Sequence, residues 1–238
     1  MAKSIFIVGT GTNIGKTFVS GGIMHILNKH GINVGYLKPV QSGVYNGEDS
    51  SISDVDFIKE ISTIKQDKKD MNAYSFKKPL SPHLAAKMEN VLVDKSRIIK
   101  QYKKLENQYD YIVIEGAGGT IVPLTPSYYI YDLIKDMNTS VMVVANAGVG
   151  TINHTCLTID FLKRQGIIVN GIIINKYTGQ FYEDDNIKTI EDISRVEVKG
   201  VINKLDKKNM KFNDENLKVK IREIYEKSLS IDKVLSIF

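Results

Sequence analysis

The sequence predicts an α/β fold, a mostly parallel central sheet with helices on both faces. Three observations predict it. Short apolar runs alternate with segments of helical apolar spacing along the 238 residues. Several of the runs are continuous and β-branched, which suits strands buried on both faces. The first run leads through a Gly-rich loop into a helical segment, the order in which a parallel sheet presents its ligand loops.

Strands are expected at 4–8 ("SIFIV"), 33–37 ("NVGYL"), 110–114 ("DYIVI"), 140–145 ("SVMVVA") and 168–175 ("IVNGIIIN"), with a weaker one at 196–202 ("VEVKGVI"). Between them, 17–31, 94–108, 152–166 and 184–194 carry helical spacing, and the first and third end in glycine, a common helix stop. Residues 215–238 read as one or two amphipathic helices. No repeat, low-complexity tract or Pro/Gly-rich linker divides the chain, so one domain over 1–238 is expected.

Composition narrows the function classes. The chain is 42% hydrophobic and 25% charged, ordinary for a globular protein. No apolar run approaches the ~20 residues that span a bilayer. The N-terminal "MAKSIFIVGTG" is too short for a secretory signal, so a cytoplasmic location and no membrane partner are expected. Net charge is +5, from 32 basic and 27 acidic residues scattered among one another. That pattern argues against a nucleic-acid face and leaves room for an anionic substrate. The one cysteine, Cys156, excludes an intrachain disulfide and a multi-cysteine metal site.

"GTGTNIGKT" (9–17) lies between the first strand and the first helix. Its end matches a phosphate-binding loop: Gly15 lets the backbone approach closely, Lys16 reaches the β- and γ-phosphates, and Thr17 offers its hydroxyl to Mg²⁺. The usual spacing wants glycine where Thr10 stands, so the loop is expected to be longer or differently shaped. With this loop the fold class sharpens to a P-loop NTPase-like three-layer sandwich. "YIVIEGAGG" puts Glu115 at a strand end before Gly116, Gly118 and Gly119, facing the same sheet edge. There it either holds Mg²⁺ or serves as a turn acid. "SSISDVDF" supplies Asp54 and Asp56, each a second metal acid or a plain helix N-terminal acid. "YLKPVQSG" ends a strand with Lys38, Pro39, Gln41, Ser42 and Gly43, and Lys38 is either a site lysine or a solvated one. Two lysines, a hydroxyl and two or three carboxylates on one edge suit phosphoryl transfer, where catalysis is positioning and charge neutralisation.

"GTGTNIGKT", "YLKPVQSG", "SPHLAA", "VIEGAGG", "GTINHT" and "GIIIN", in this order from about residue 3 to 205, resemble dethiobiotin synthetase. The resemblance implies a ring-forming ligase. It converts 7,8-diaminononanoate, CO₂ and ATP into dethiobiotin, ADP and phosphate through a carbamate and a carbamic–phosphoric anhydride. It implies Lys38 and Lys16 as catalytic, with Thr17, Asp54 and Glu115 on Mg²⁺. It places ATP against Asn13, Ile14, Gly15, Lys16, Thr17 and Phe18, against Gly116, Ala117 and Gly118, and against Asn175, Lys176, Asn203, Lys204 and Leu205. Asn175 would read adenine through its amide. Thr12 and Ser42 would contact the diamine or its carbamate. Gly150, Thr151, Ile152 and Asn153 would capture the substrate carboxylate from the neighbouring subunit of a homodimer, although Thr151 or Asn153 also serves as a plain helix cap. His83 is expected to line the pocket without acting as a base, and His154 and Cys156 to pack in a helix.

The sequence departs from the family at three points. Lys176 stands where an acid is frequent and Asn203 where a proline is usual, which implies looser base selectivity than strict ATP. Asn13 replaces a loop glutamate of some members. A partition-type dimeric P-loop ATPase is the competing reading, but its early loop lysine has no counterpart at 9–14.

Overall fold

The computed structural model describes residues 2–44, 52–206 and 212–238. Its elements run β1 (Lys3–Gly9), α1 (Lys16–Lys29), β2 (Val34–Ser42), α2 (Asp54–Ser62), β3 (Asn72–Phe76), α3 (Pro82–Met88), α4 (Lys95–Glu106) and β4 (Tyr111–Glu115). They continue with β5 (Pro123–Thr125), β6 (Tyr128–Tyr129), α5 (Ile130–Met137), β7 (Ser140–Asn146), α6 (Thr151–Arg164), β8 (Val169–Tyr177), α7 (Phe181–Ser194), β9 (Val198–Asn203), α8 (Glu215–Ser228) and α9 (Ile231–Leu235).

Seven strands form one sheet in the order β3-β2-β4-β1-β7-β8-β9, and every neighbouring pair is parallel. β5 and β6 make a separate antiparallel pair. The continuous apolar runs have the cause the sequence suggests, because alternate residues feed opposite layers. Phe6, Val8, Ile112, Ile114, Val141 and Val143 join one core with residues of α3 to α7. Ile5, Ile7, Val113, Met142 and Val144 join the other with residues of α1, α2 and α9. The result is the three-layer sandwich expected.

All six predicted strands form, and β2 runs on through Pro39 to Ser42. Outside the expected elements lie β3, α3, the β5–β6 pair and α5, and α2 is anticipated only as a helix start at Asp54 or Asp56. β3 is an edge strand carrying Asn72 and an exposed Ser75, so no apolar run marks it. The C-terminal segment divides into α8 and α9, and α8 braces the two helices that carry the loop lysine and Asp54. Tyr225 Oη donates to Phe18 O at 2.6 Å. Arg222 Nη2 donates to Glu60 O at 2.7 Å, and Lys218 pairs with Glu60 at 2.8 Å.

Candidate active site

The central position of β1 places the loop after it over the C-terminal edge of the sheet, where β2 and β4 also end. The loop turns through left-handed backbone at Asn13 (φ 58°) and Gly15 (φ 97°). Asparagine tolerates that region better than other non-glycine residues, a physical reason for Asn13. Thr10 is tied down by its N–H, which donates to Val144 O at 3.1 Å. Gly9 lies one position before the usual glycine because the chain folds closely over it. A Cβ there would stand 3.0 Å from Gly11 O and 3.3 Å from the Lys16 stem.

Five chemistry-bearing side chains meet in one cavity of about 540 Å³: Lys16, Thr17, Lys38, Asp54 and Glu115. Glu115 is fully buried. Its Oε1 lies 2.6 Å from Lys38 Nζ and 2.7 Å from Thr17 Oγ1, and its Oε2 accepts from Tyr36 Oη at 2.8 Å. Lys38 also pairs with Asp54 Oδ2 at 2.8 Å and donates to Gly116 O at 3.3 Å. Thr17 Oγ1 is 2.8 Å from Asp54 Oδ1. Ser53, not Asp54, caps α2, its Oγ accepting from Asp56 N–H at 3.1 Å. Asp54 is thereby free for the cavity, whereas Asp56 turns to Ser53 and Lys68.

Electrostatics separate the two lysines. Burial alone would lower Lys38, but Glu115 and Asp54 overcome it and hold the ammonium above its ordinary value. Burial, then the charge of Lys38, bring Lys16 down to about 8. Its Nζ folds back on Gly11 O at 3.3 Å. Lys16 is thus the lysine with most to gain from an incoming anion. Burial raises Asp54, yet Lys38 and Thr17 keep it below the usual carboxylate range.

At the next strand ends, Asn175 Nδ2 donates to Ile14 O at 2.9 Å and Lys176 Nζ to Asn13 O at 2.6 Å. These two bonds clasp the loop against β8. Beside them Asn203, Lys204 and Leu205, with Tyr177 and Thr178, line a second cavity of about 820 Å³. The turn at Thr178 is held by buried Glu183, which accepts from Thr178 N–H at 2.9 Å and Gln180 N–H at 3.0 Å.

An AAA domain family model matches residues 3–210. The ATP-dependent dethiobiotin synthetase BioD of Clostridium kluyveri is 41% identical over 240 residues, covering 99% of this chain and 98% of its own. That of Methanococcus vannielii is 41% identical over 208 residues, covering 86% and 94%. The chain belongs to the dethiobiotin synthetase family. Solved structures add the fold alone. The Aquifex aeolicus MinC:MinD complex aligns with a TM-score of 0.58 at 15% identity over 99% of this chain and 93% of that one. A ParA family ATPase from Chlorobium tepidum gives 0.56 at 12% over 100% and 97%. A P-loop NTPase fold is common to all of them, and sequence likeness favours the synthetases over the partition ATPases.

The chain gathers the site residues that the family resemblance implies into three places. Thr12, Asn13, Gly15, Phe18, Ser42, Ala117 and Gly118 line the cavity of Lys38. Asn203, Lys204 and Leu205 line the one beyond Lys176. Gly150, Ile152 and Asn153 open instead into a groove of about 710 Å³ on α6, while Thr151 is buried and donates its hydroxyl to Asn146 O. His83 sits on the first turn of α3 and is not among the residues lining the Lys38 cavity, where Pro79 stands. His154 is exposed on α6, and Cys156 is half-buried there.

Tyr36, the donor to Glu115, lies outside the sequence expectations, fully buried within an apolar run. Strand alternation was the available signal, since it sets Tyr36 two residues before Lys38 on the same face. Burial, then Glu115 and Asp54, raise its phenol well above the ordinary value, so it stays a neutral donor to Glu115. Tyr36→Phe is expected to lower stability in urea by about 1.5–3 kcal/mol, the range for a hydrogen bond to a charged group. It should also raise the Mg²⁺ concentration for half-maximal activity. Unchanged urea midpoint and Mg²⁺ dependence would leave Tyr36 as mere filling.

Proposed function

We propose that this chain, as one P-loop α/β domain over 1–238, is an ATP-dependent ring-forming ligase. It converts 7,8-diaminononanoate and CO₂ to dethiobiotin, with ADP and phosphate released. The observation that carries the reading is the Lys38 ammonium, 2.6 Å from Glu115 and 2.8 Å from Asp54 in the cavity that also holds Lys16 and Thr17.

An amine of the substrate adds CO₂ to give a carbamate. A carbamate oxygen attacks the γ-phosphorus of ATP, and the bond to the β-phosphate oxygen breaks. The second amine attacks the carbamoyl carbon of the mixed anhydride, expels phosphate and closes the ring. The attack brings anions together, at about 4 kcal/mol per pair of charges ~4 Å apart in an intermediate dielectric. Lys16 and Lys38 offset that repulsion. Gly15 and the α1 N-terminus cradle the phosphates with backbone N–H groups. Asn175, Lys176, Asn203, Lys204 and Leu205 hold the base, and Thr12 and Ser42 the diamine end.

Mg²⁺ fits Thr17, Asp54 and Glu115. One hydroxyl proton faces two carboxylates there, at 2.7 and 2.8 Å, a set of hard oxygen donors of the kind Mg²⁺ takes. The ion would neutralise the β- and γ-phosphates.

A homodimer accounts for the remaining residues. Gly150, Thr151, Ile152 and Asn153 form the N-terminal turn of α6, suited to a carboxylate. Gly150, Ile152 and Asn153 lie on a groove apart from the Lys38 cavity, flanked by Leu157 and Ile193, which are 61% and 60% exposed. This supports a neighbouring subunit bringing the turn to its partner's site. The location is read as the cytoplasm; among the described residues, no helix is long and apolar enough to cross a membrane.

Incubation with 7,8-diaminononanoate, bicarbonate, Mg²⁺ and ATP should yield dethiobiotin by mass, and folded protein that yields none sinks the reading. Mixing Lys16→Ala and Asn153→Ala chains should restore part of the activity lost by each. Mixed dimers without restored turnover would refute the shared site.

A further inference from the structure

Gln41, near the C-terminal end of β2, is 5% exposed and lines the cavity of Lys16 and Lys38. Its carboxamide makes no hydrogen bond among the described residues. Gln66 shows how this fold treats an amide enclosed by the chain. At 4% exposure, its Oε1 accepts from Tyr36 N–H at 2.7 Å and its Nε2 donates to Tyr36 O at 2.9 Å. Gln41 differs: among the described residues the enclosed, unpartnered polar atoms are those of Ser20, His83, Thr139 and Asn146, so the Gln41 amide reaches the open space of the cavity. Gln41 therefore presents an unpartnered, neutral carboxamide to whatever enters the cavity.

Its surroundings say what enters. The phosphate-binding groups come from the loop and α1, whereas Gln41 sits on the β2 wall with Val40, Ser42, Gly43 and Pro79. Val40, Pro79, Ile52 and Phe57 give that wall an apolar character suited to an alkyl chain. Charge also matters. The cavity already sets two lysines against two carboxylates. A further acid would hold a substrate amine as an unreactive ammonium, and a further base would repel it. A neutral carboxamide does neither, and it offers one acceptor oxygen and two donor hydrogens.

We infer that Gln41 seats the reacting end of the diamine, its Oε1 accepting from the free amine and its Nε2 donating to a carbamate oxygen. The two groups that must combine are then held side by side, the geometry that makes ring closure effectively intramolecular. This rests on the ligase reading given above.

The test is steady-state kinetics of Gln41→Leu and Gln41→Glu with the diamine varied at saturating ATP and Mg²⁺, and then ATP varied at saturating diamine. Gln41→Leu should raise KM for the diamine roughly tenfold to a hundredfold, the range of a hydrogen bond to a charged or reacting group. KM for ATP should stay within about twofold, which also shows that the loop and fold are intact. Gln41→Glu keeps the shape and an acceptor but replaces the donor with a charge, so kcat should fall at least about tenfold. A diamine KM unchanged in Gln41→Leu overturns the inference, as does wild-type kcat in Gln41→Glu should the leucine variant fail to fold. Wild-type protein that forms no dethiobiotin overturns the ligase reading itself; an active wild type with indifferent Gln41 variants overturns only this contact.

Discussion

Lys38→Met is expected to lower turnover by roughly 10²–10³-fold, as when a preorganised charge is removed from a site that stabilises developing charge. It should also destabilise the protein, for a reason separable from catalysis. Glu115 is fully buried, and Lys38 is its cationic partner at 2.6 Å. Removing one member of a buried pair strands the other, typically at about 3–5 kcal/mol. For a chain of this size that is a fall of roughly 6–20 °C in melting temperature. Tyr36 and Thr17 still face Glu115, which argues for the lower end. Adding Glu115→Gln removes the stranded charge, so the double variant should regain most of the melting temperature and none of the turnover. Thermal melts and single-turnover ATP cleavage read the two effects independently. Near-normal turnover in Lys38→Met would remove Lys38 from the mechanism, and a double variant no more stable than the single would remove the ion pair from the account of the fold.

That separation shows why some of the site was legible in sequence and some was not. Lys16, Thr17, Lys38 and Glu115 each sit at the carboxyl end of a predicted strand or in the loop that follows, and a parallel sheet brings such positions to one edge. Asp54 was ambiguous with Asp56 until Ser53 took the capping role. Tyr36 was hidden, and Gln41 stood at its strand end without a role, because a tyrosine inside an apolar run and a glutamine near its end look like core and turn. What identifies them is a partner, present for Tyr36 and missing for Gln41, and partners belong to the folded chain. The same holds for the fold. β1, β4, β7 and β8 announce themselves by burial on both faces. β3 at the sheet edge does not, and although α8 is expected as a helix, its tie to Phe18 is hidden because it joins residues far apart in sequence.

The second large effect is expected at Gly15, where two constraints coincide. The backbone there has φ 97°, which disfavours any side chain. A Cβ would also fall 2.1 Å from Asn175 Nδ2, far inside contact distance. Asn175 cannot easily step aside, since it is 3% exposed and donates to Ile14 O at 2.9 Å. Gly15→Ala should therefore weaken ATP binding by roughly a hundredfold or more, from about 1–2 kcal/mol of left-handed strain plus the displaced clasp. The two contributions come apart in a double-mutant cycle. Asn175→Ala alone loses the clasp and the proposed base contact. In Gly15→Ala/Asn175→Ala the overlap is gone and only the backbone strain is new, so the double variant should bind ATP better than the two single losses add up to. The expected coupling is about 1–3 kcal/mol, within the range for residues in direct contact. Calorimetric titration of ATP into the four proteins supplies the cycle. An additive result would mean that Gly15 answers to backbone conformation alone, and that the packing of β8 against the loop plays no part in keeping it a glycine.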